Sequence, residues 1–436
     1  MGELQRYKLE DICEFVNGFA FKSTDYVPPS QESIEVLRMG YIERGGGFKE
    51  DSSPVFVPKC YPKNLGKYRL RKGDIVIAMT DMKNNVAILG NTARIADEDR
   101  FVLNQRVGCI RIKRSDIIDS RFLYFYTNWI LHVEYLRSRA NSGVQVNLST
   151  SAIKEAELII PSLATQKKTS ELLGALDDKI ELNRKTNETL EALARTTFYD
   201  WFVDFGPTRA KAESRESYLA PELWDLFPNA LDSKDKPEGW DQLPLDEIAE
   251  FLNGLALQKF PVLDGEDSLP VIKIAELRSG ISVNSNRASR NLPGQYIVRD
   301  GDFLFSWSGS LLAKFWTGGE GALNQHLFKV TSDRFPVWFF SQWIYHHLSD
   351  FQAIAASKAT TMGHIQRGHL KAALTICPPD DVLSKLSQTV APLVDATIKN
   401  ELESRTLAQT RDLLLPKLMS GEIRLREADR LFAHIL

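Results

Sequence analysis

The sequence repeats itself once at long range, with its motifs in the same order in both copies. Four segments of the first copy align with four of the second, at offsets that fall through 236, 228, 220 and 217 residues: Leu9–Phe21 with Leu245–Leu257, Arg71–Ile77 with Arg299–Phe305, Leu103–Gln105 with Leu323–Gln325, and Ile153–Pro161 with Leu370–Pro378. The falling offset indicates that the second copy has lost loop residues while keeping its elements. A duplication of this kind predicts two copies of one fold.

Each copy begins with a pattern typical of a mixed α+β domain. Gly-Asp precedes an apolar run at Ile75–Met79 and again at Phe303–Trp307, which predicts a turn that leads into a buried strand. In Phe122–Trp129 and Trp338–Tyr345 the large side chains recur at helical spacing. We interpret these aromatic residues as part of a hydrophobic core and not as a ligand cage.

Each copy ends with a long helical segment. The chain from residue 166 to residue 202 contains no proline, and both copies place mostly apolar residues at the a and d positions of a heptad pattern. The predicted seam comprises Leu173, Leu176, Ile180, Asn183, Asn187, Leu190 and Ala194 in the first helix, and Val390, Leu393, Thr397, Asn400, Ser404, Leu407, Arg411 and Leu414 in the second. Asn183 and Asn400 occupy equivalent positions, where a polar layer and a solvated face fit the pattern equally well. Pro392 predicts a helix start near Ala391 or a kink.

The length of these helices constrains how the chain can be arranged. A helix of about 37 residues is roughly 55 Å long. Antiparallel pairing is the simpler topology, because the first helix then delivers the chain to the end where the second copy begins. We therefore expect an α+β fold with two duplicated α+β domains separated by two long helices, which pair as an antiparallel coiled coil with pseudo-twofold symmetry.

Composition limits the classes of protein to which the chain can belong. Of 436 residues, 43% are hydrophobic, and no stretch approaches the roughly 20 apolar residues of a membrane span, so we expect a cytoplasmic protein with no membrane association. The four cysteines form no CxxC pair, so neither a metal site nor a disulfide framework is expected. A net charge of −3 differs from the basic surplus of an autonomous DNA-binding domain. Any DNA binding must therefore use local patches, with help from a basic partner.

Catalytic motifs are missing from the sequence. It contains no GxxxxGK[ST] phosphate loop. It also contains no Asn-Pro-Pro or Asp-Pro-Pro step followed by an aromatic residue, the pattern associated with adenine methyltransferases. Pro379-Asp380 is a lone fragment of a nuclease-like pattern. A self-contained methyltransferase or nuclease is therefore not expected.

The most specific motifs lie in and beside the long helices. They are Leu182–Ala194 with Trp201–Phe205, the connector that ends in Pro237–Trp240, and Leu415–Ile423. Together with the duplication they resemble, over essentially the whole chain, the specificity (S) subunit of Type I restriction-modification enzymes. The resemblance implies a non-catalytic protein in which two target recognition domains each read one half of a bipartite site in double-stranded DNA, while the coiled coil sets the unread gap.

The same resemblance implies the partners and the domain boundaries. Two methyltransferase (M) subunits would bind the chain, and motor-nuclease (R) subunits would join them. S-adenosylmethionine, ATP and Mg²⁺ would serve those partner subunits, with no cofactor bound by this chain. The expected domains are residues 1–163 and 241–380 for target recognition, 164–206 and 381–436 for the two spacer helices, and 207–240 for the connector.

Polar loops at matching positions of the two copies are the candidates for reading DNA. Base reading needs forked donors and acceptors, typically Arg or Lys on guanine and Asn or Gln on adenine. We predict DNA contact for these loops as groups, without assigning any single residue. The candidates in the first copy are Lys83, Asn84, Asn85, Arg106, Arg137, Arg139, Asn141, Ser142, Gln145 and Asn147. Those in the second copy are Ser308, Ser310, Lys314, His326, Lys358, Thr360, Thr361, His364, Gln366 and Arg367.

The Asn-Gln pair at 104–105 and 324–325 is retained in both copies. Two domains that read different sequences should differ at base-reading positions. We therefore predict turn or strand-end hydrogen bonding for this pair, and DNA contact for the variable neighbours Arg106 and His326.

Two other functions remain open from the sequence. The chain could be the specificity-type subunit of a related modification or phage-defence system, because that distinction lies in the partner. Less favoured is a coiled-coil scaffold that binds only protein, since two duplicated domains with polar, glycine-broken loops would then be unexplained.

Overall fold

The computed structural model describes residues 4–51, 53–82, 86–142, 145–357, 363–420 and 422–423. The chain divides into two units. Unit 1 is Met1–Asp178 with Leu407–Leu436, and unit 2 is Lys179–Thr406.

Unit 1 contains twelve described strands and four short α-helices. The strands are β1 Gln5–Lys8, β2 Cys13–Asn17, β3 Ser33–Leu37, β4 Phe56–Pro58, β5 Ile75–Ala78, β6 Thr80–Met82, β7 Thr92–Arg94, β8 Phe101–Leu103, β9 Val107–Ile112, β10 Asn141–Ser142, β11 Gln145–Asn147 and β12 Glu157–Ile160. The helices are α1 Leu9–Ile12, α2 Ser120–Asn128, α3 Ile130–Ser138 and α4 Thr150–Lys154. The long helix α5, Leu163–Phe198, begins in this unit.

Unit 2 carries the second copy. Its strands are β13 Asp241–Pro244, β14 Glu250–Asn253, β15 Ser268–Ile272, β16 Arg287–Ser289, β17 Ile297–Val298, β18 Phe303–Ser306, β19 Ala313–Phe315, β20 Gly321–Leu323, β21 Leu327–Thr331 and β22 Leu374–Cys377. Its helices are α6 Gly206–Ala212, α7 Pro221–Trp224, α8 Leu245–Ile248, α9 Ile274–Ser279, α10 Val337–Ser357, α11 Arg367–Ala372 and most of α12, Asp380–Ser420.

The four-stranded sheet, one parallel strand pair and one two-stranded ladder are arranged alike in the two units, which confirms the duplicated α+β fold. An antiparallel four-stranded sheet has the order β2-β9-β5-β7 in unit 1 and β14-β21-β18-β19 in unit 2. A second sheet contains one parallel pair in each unit, β3 with β8 and β15 with β20. A two-stranded antiparallel ladder joins β1 to β12, and β13 to β22.

The repeated Gly-Asp motif forms the predicted turn in both units. Gly73 and Gly301 both have φ of 90°, a conformation that glycine adopts without steric cost. The carboxylates of Asp74 and Asp302 each accept a hydrogen bond from the backbone amide three residues earlier, at 2.9 and 2.7 Å. The following strands β5 and β18 are fully buried.

The aromatic segments form helices whose large residues lie in the cores, as predicted. Phe122 is buried in the core of unit 1, and Trp338 and Trp343 are buried in the core of unit 2. In unit 2 the ring of Phe198, at the end of α5, packs edge-on against Trp343 with 5.0 Å between the ring centroids. The chain then continues as one π-helical turn, Tyr199–Val203, which buries Trp201 and Phe202.

Of the two alternatives that Pro392 left open, a helix start near Ala391 does not occur. The second long helix begins at Asp380 and continues through Pro392 to Ser420. The first three turns form because Leu383, Leu386 and Val390 bury apolar surface in the core of unit 2. Pro392 is exposed, so water can hydrate the one carbonyl that loses its helical partner.

Within unit 2 the two long helices pack side by side and antiparallel. The Asn183 amide donates to Asn400, Glu403 and Ser404 of the facing helix. The Asn187 amide donates to the carbonyl of Thr397, and the Asn400 amide donates to the side-chain oxygen of Asn187. As residue numbers rise along α5, the residue numbers of the hydrogen-bond partners on α12 fall, so the two helices run in opposite directions. Asn183 is 2% exposed, so the polar positions form a hydrogen-bonded layer and not a solvated face. The Asn183–Ser404 bond and the Asn187–Asn400 bond are repeat equivalents of each other, which makes this layer locally twofold.

The remaining seam positions pack to different degrees. Six of them are buried: Leu173, Leu176, Ala194, Val390, Leu407 and Leu414. Three are half-buried: Ile180, Leu190 and Leu393. In unit 1 the Arg411 guanidinium donates to the Asp177 carboxylate across the pair at 2.8 Å. An arginine at a predicted apolar position is thus satisfied by an acidic residue of the facing helix.

Neither a membrane span nor a metal cluster is found in the part of the chain that the structure describes. No described helix is long and apolar enough to cross a bilayer. The described His, Cys, Asp and Glu residues form no group of three or more that could hold a metal ion.

Candidate nucleic-acid interface

In unit 1 a small sheet brings both predicted loops together. Strand β11 lies between β10 and β6, with Gln145 opposite Met82 and Asn147 opposite both Thr80 and Asn141. The polar stretch after β5 and the polar stretch after α3 therefore belong to one surface. Backbone pairing fixes the positions from which their side chains project.

Two charged residues hold the base of this surface. One carboxylate oxygen of Asp81 accepts hydrogen bonds from the backbone amides of Ala87, Ile88 and Leu89, at 2.7, 2.7 and 3.2 Å. The guanidinium of Arg137 donates to the carbonyl of Leu89 at 2.9 Å, and burial lowers the pKa of Arg137. Arg137, a predicted DNA contact, thus spends at least one donor on positioning the loop.

The exposed side chains of unit 1 present amides and guanidinium groups. Asn141 and Asn147 are exposed, and the Asn147 amide is oriented by the hydroxyl of Thr80, which donates to its oxygen at 2.8 Å. The guanidinium of Arg139 lies 4.5 Å from the centre of the Tyr135 ring, a cation–π contact. Arg106 is exposed with φ of 71°, in a left-handed turn between β8 and β9.

In unit 2 the matching surface is built around Trp307. Its indole nitrogen donates to the side-chain oxygen of Asn253 at 2.9 Å and to the carbonyl of Gln325 at 3.2 Å. Its backbone carbonyl accepts from the amide of Ile365 at 2.9 Å. One tryptophan therefore joins the loop after β18 to three other segments of the chain.

Three predicted residues meet beside this tryptophan. The Ser308 hydroxyl lies 2.9 Å from Nδ1 of His326, and Ser308 pairs with His364 in an isolated antiparallel bridge. The ring centroids of His326 and His364 lie 5.8 and 6.3 Å from that of Trp307. Hydroxyl, imidazole and indole groups of three loop segments thus share one site.

The other candidates of unit 2 are placed differently. Ser310 is exposed, and its carbonyl accepts from the Ser306 hydroxyl at 2.9 Å. Gln366 and Arg367 are exposed at the start of α11. The Lys314 ammonium lies 3.9 Å from the carboxylate of Glu401 on α12, so the structure turns this lysine toward the helix.

The Asn-Gln pair performs the same backbone task in both units. The amides of Gln105 and Gln325 donate to the carbonyls of residues 19 and 255, at 2.8 and 2.9 Å. The neighbouring glycines, Gly18 and Gly254, lie so close that a Cβ would be 1.8 and 2.2 Å from the carbonyl oxygens of residues 104 and 324. The predicted strand-end hydrogen bonding is confirmed for the backbone of this pair.

Comparison with known proteins identifies the family. The family described as "Type I restriction modification DNA specificity domain" matches residues 1–192. The chain is 26% identical over 444 residues to the specificity subunit of the Type I restriction enzyme MjaIX of Methanocaldococcus jannaschii, covering 93% of this chain and 97% of the relative. It is 22% identical over 408 residues to the specificity subunit of the Type I restriction enzyme HindI of Haemophilus influenzae, covering 82% and 88%. The chain belongs to the Type I restriction-modification specificity subunits.

The fold of this specificity subunit is also similar to a solved structure. The crystal structure of the Type I restriction-modification system S subunit from M. genitalium superposes with a TM-score of 0.55 at 15% identity, and 96% of both chains is covered. At this identity the likeness concerns the fold alone. Two β-rich halves and two packed helices are its common features.

Six candidate residues of the specificity subunit lie outside the described residues: Lys83, Asn84, Asn85, Lys358, Thr360 and Thr361. Ser142 belongs by its backbone to β10. The described candidates group on the two loop surfaces, with Lys314 turned toward α12 and Arg137 at the base of its loop.

Residues that organise the second surface were not among the candidates. Trp307 and Asn253 build the site in unit 2 together with Gln325. The sequence contains a signal for Trp307 and for Asn253. Asn253 matches Asn17 in the aligned opening motifs, whereas Trp307 stands where the first copy has Met79. A polar residue retained in both copies beside an aromatic residue found in only one indicates a shared structural position next to a variable one.

Proposed function

We propose that the chain acts in the cytoplasm as the subunit that reads DNA sequence, without catalysing a reaction itself. Residues 1–163 and 241–380 form two target recognition domains, and each reads one half of a bipartite site in double-stranded DNA. Residues 164–206 and 381–436 form the spacer helices that set the unread gap, and residues 207–240 connect the halves.

One observation supports this proposal: the two units share the same backbone framework but have different side chains in the loops beside it. The Gly-Asp turns, the close glycines and the Asn-Gln backbone bonds are the same in both. Beside them Arg106 stands against His326, and Met79 against Trp307. Side chains that hydrogen-bond base edges must differ between two sites that read different sequences.

The proposed partners follow from charge and from the family. A chain with a net charge of −3 gains little from phosphate attraction, so basic surface must come from elsewhere in the complex. Two methyltransferase subunits bound to the spacer helices would supply it, and motor-nuclease subunits would add restriction. S-adenosylmethionine, ATP and Mg²⁺ would act on those subunits.

A genome-wide map of adenine methylation, with and without this gene, tests the proposal. We expect one bipartite motif with a fixed gap to lose its methylation when the gene is deleted. If no motif changes while the methyltransferase partner is expressed, the chain does not specify methylation. Isolation of its bound proteins would then test the scaffold alternative.

Loop exchange tests whether the reading is modular. Replacing Asn141, Gln145 and Asn147 by Ala should relax specificity in one half of the motif, since each good base contact is worth about 1–3 kcal/mol of discrimination. The matched variant with Ser310 and Gln366 replaced by Ala should alter only the other half. Methylation of a randomised site library by the reconstituted complex is the measurement. Loss of both halves together in either variant would contradict modular reading.

A further inference from the structure

A small apolar face of unit 1 is left open. In the ladder of β1 and β12, Ile159 is paired with Arg6, and Leu4 lies on the same face two residues before Arg6. Leu4 is 59% exposed and Ile159 is 42% exposed. Two large apolar side chains on one side of a two-stranded ladder leave surface that another chain segment can cover.

The equivalent face of unit 2 is closed. There Gln242 is paired with Ile376, and Trp240 lies two residues before Gln242. Trp240 is 2% exposed and Ile376 is 8% exposed. The ladder, its register and the direction of its side chains are the same in both units. The difference therefore comes from what packs on top.

The covering segment in unit 2 is the chain that follows α5. Phe202, in the π-helical turn at the end of α5, has its ring centroid 5.6 Å from that of Trp240. Phe227, farther along the same connector, lies 6.1 Å from Trp240. The closed face is thus covered by residues of the chain segment that follows a long helix.

The repeat counterpart of α5 is α12, and its end lies in unit 1. Met419, the equivalent of Phe202 at the offset of 217, packs against the core of unit 1. After the helix ends at Ser420, the amide of Ile423 donates back to the carbonyl of Lys417 at 3.2 Å. The chain that follows α12 therefore leaves from the position that the covering segment occupies in unit 2.

The sequence after Ile423 has the composition of a covering segment. Thirteen residues follow, from 424 to 436, and they would span up to about 43 Å if extended. Leu425, Ala428, Phe432 and Ile435 recur at intervals of three and four, with charged residues between them. Such spacing places apolar side chains on one side of a helical segment.

We propose that residues 424–436 dock on the Leu4–Ile159 face of unit 1 and close it as the connector closes the same face of unit 2. The C-terminal segment is then part of the first recognition domain, in the way that the connector is part of the second. The occupant is a segment of this chain and neither a second copy nor a partner.

Hydrogen exchange of the full chain, read by mass spectrometry, tests the proposal. The test variants are a chain that ends at Arg424 and a full-length chain with Phe432→Asp and Ile435→Asp. We expect amides of Gln5–Lys8 and Glu157–Ile160 to exchange about tenfold faster in both. Amides of Asp241–Pro244 and Leu374–Cys377 should be unchanged, as should all four strands in the control Arg426→Gln. Unchanged exchange in β1 and β12, or equal acceleration in both units, would overturn the proposal.

A photo-crosslinking measurement separates this occupant from a second copy. A photoreactive phenylalanine analogue at position 432 of the full chain should crosslink to peptides that contain Leu4 or Ile159. When heavy-labelled and light chains are mixed, the crosslinked peptides should pair heavy with heavy and light with light. Mixed pairs would show that another copy takes the face, and crosslinks only to other regions would show that the segment docks elsewhere.

Discussion

At Gly254 the absence of a side chain allows two backbone segments to meet. A Cβ there would lie 2.2 Å from the carbonyl oxygen of Asn324. We expect Gly254→Ala to destabilise unit 2 by about 1–3 kcal/mol, because no rotamer change can relieve a clash with backbone. Gly294→Ala is the control, since a Cβ at that position meets nothing within 4 Å. The midpoints of thermal unfolding should fall by several degrees for the first variant only. Equal midpoints would contradict the close approach.

His132 gives unit 1 a pH dependence. It is 6% exposed, and burial lowers its pKa to about 4. The unfolded chain binds this proton near pH 6.5, whereas the folded chain resists it until about pH 4, so its contribution is fully present above pH 6.5 and is lost as the pH falls. The loss is about 1.4 kcal/mol per pH unit over that window, or roughly 3 kcal/mol in total.

The measurement compares the chain with His132→Phe by calorimetry between pH 7 and pH 4.5. Other groups also titrate in this range, and both proteins share them. Each protein gives a curve of unfolding free energy against pH. As the pH falls, the two curves should converge or cross, so that the variant becomes the more stable protein. Parallel curves would show that His132 does not couple folding to protonation.

Individual residues were predictable from the sequence where the two copies agree. The Gly-Asp turns and the Asn-Gln pair appear twice because the backbone requires them twice. Trp307 was not predictable in the same way, because its first-copy counterpart is a methionine and its partners come from distant segments. A side chain whose role depends on contacts across three loops leaves no periodic signal in the sequence.

At the scale of elements, the polar layer between the long helices is the feature with a measurable energy. The Asn187 amide donates to the carbonyl of Thr397 at 3.0 Å, and its oxygen accepts from Asn400 at 2.9 Å. Asn187→Ala leaves a partly buried donor of Asn400 without its acceptor, so we expect the free energy of unfolding to fall by about 1–3 kcal/mol. Thr189→Ala, on the exposed side of α5, should change stability by less than about 0.5 kcal/mol.

Replacing both Asn187 and Asn400 by Leu adds a second outcome to that measurement. Stability should recover, because removing both partners leaves no unsatisfied group. Alignment of the helices should become less specific, since one polar layer can fix register at some cost in stability. Calorimetry reports the first effect, and disulfide crosslinking of cysteine pairs along the helices reports the second. A double variant no more stable than Asn187→Ala would contradict this account.

The elements themselves followed from local pattern, and their ends did not. The heptad spacing predicted both long helices, but Pro392 left open a start near Ala391 or a kink, and the helix in fact begins at Asp380. Leu383 and Leu386 extend the helix because they are buried in the core of unit 2. Burial of these side chains in the core outweighs the cost of one missing helical hydrogen bond. This balance cannot be read from the local sequence, because it depends on contacts with distant residues.

At the scale of the whole molecule, the duplication predicted the architecture because each copy must bury its apolar residues in the same way. It did not predict which copy has its ladder face covered, since Leu4 and Trp240 occupy equivalent positions with 59% and 2% exposure. Each face depends on the chain that follows a helix, and these following segments are not similar. The function of the whole molecule should therefore depend on the lengths of the long helices as well as on the residues of the loops.

Shortening both helices tests whether their length sets the gap in the DNA site. Removing residues 180–186 and 398–404 takes one heptad from each facing stretch and shortens the pair by roughly 10 Å, while rotating it by only about 20°. At about 3.4 Å per base pair, the unread gap should shrink by about three base pairs, or methylation should be lost. Removing 180–186 alone is the control, because it misaligns the facing helices and should abolish methylation. A methylated motif whose gap is unchanged in the doubly shortened chain would show that the spacing is set elsewhere in the complex.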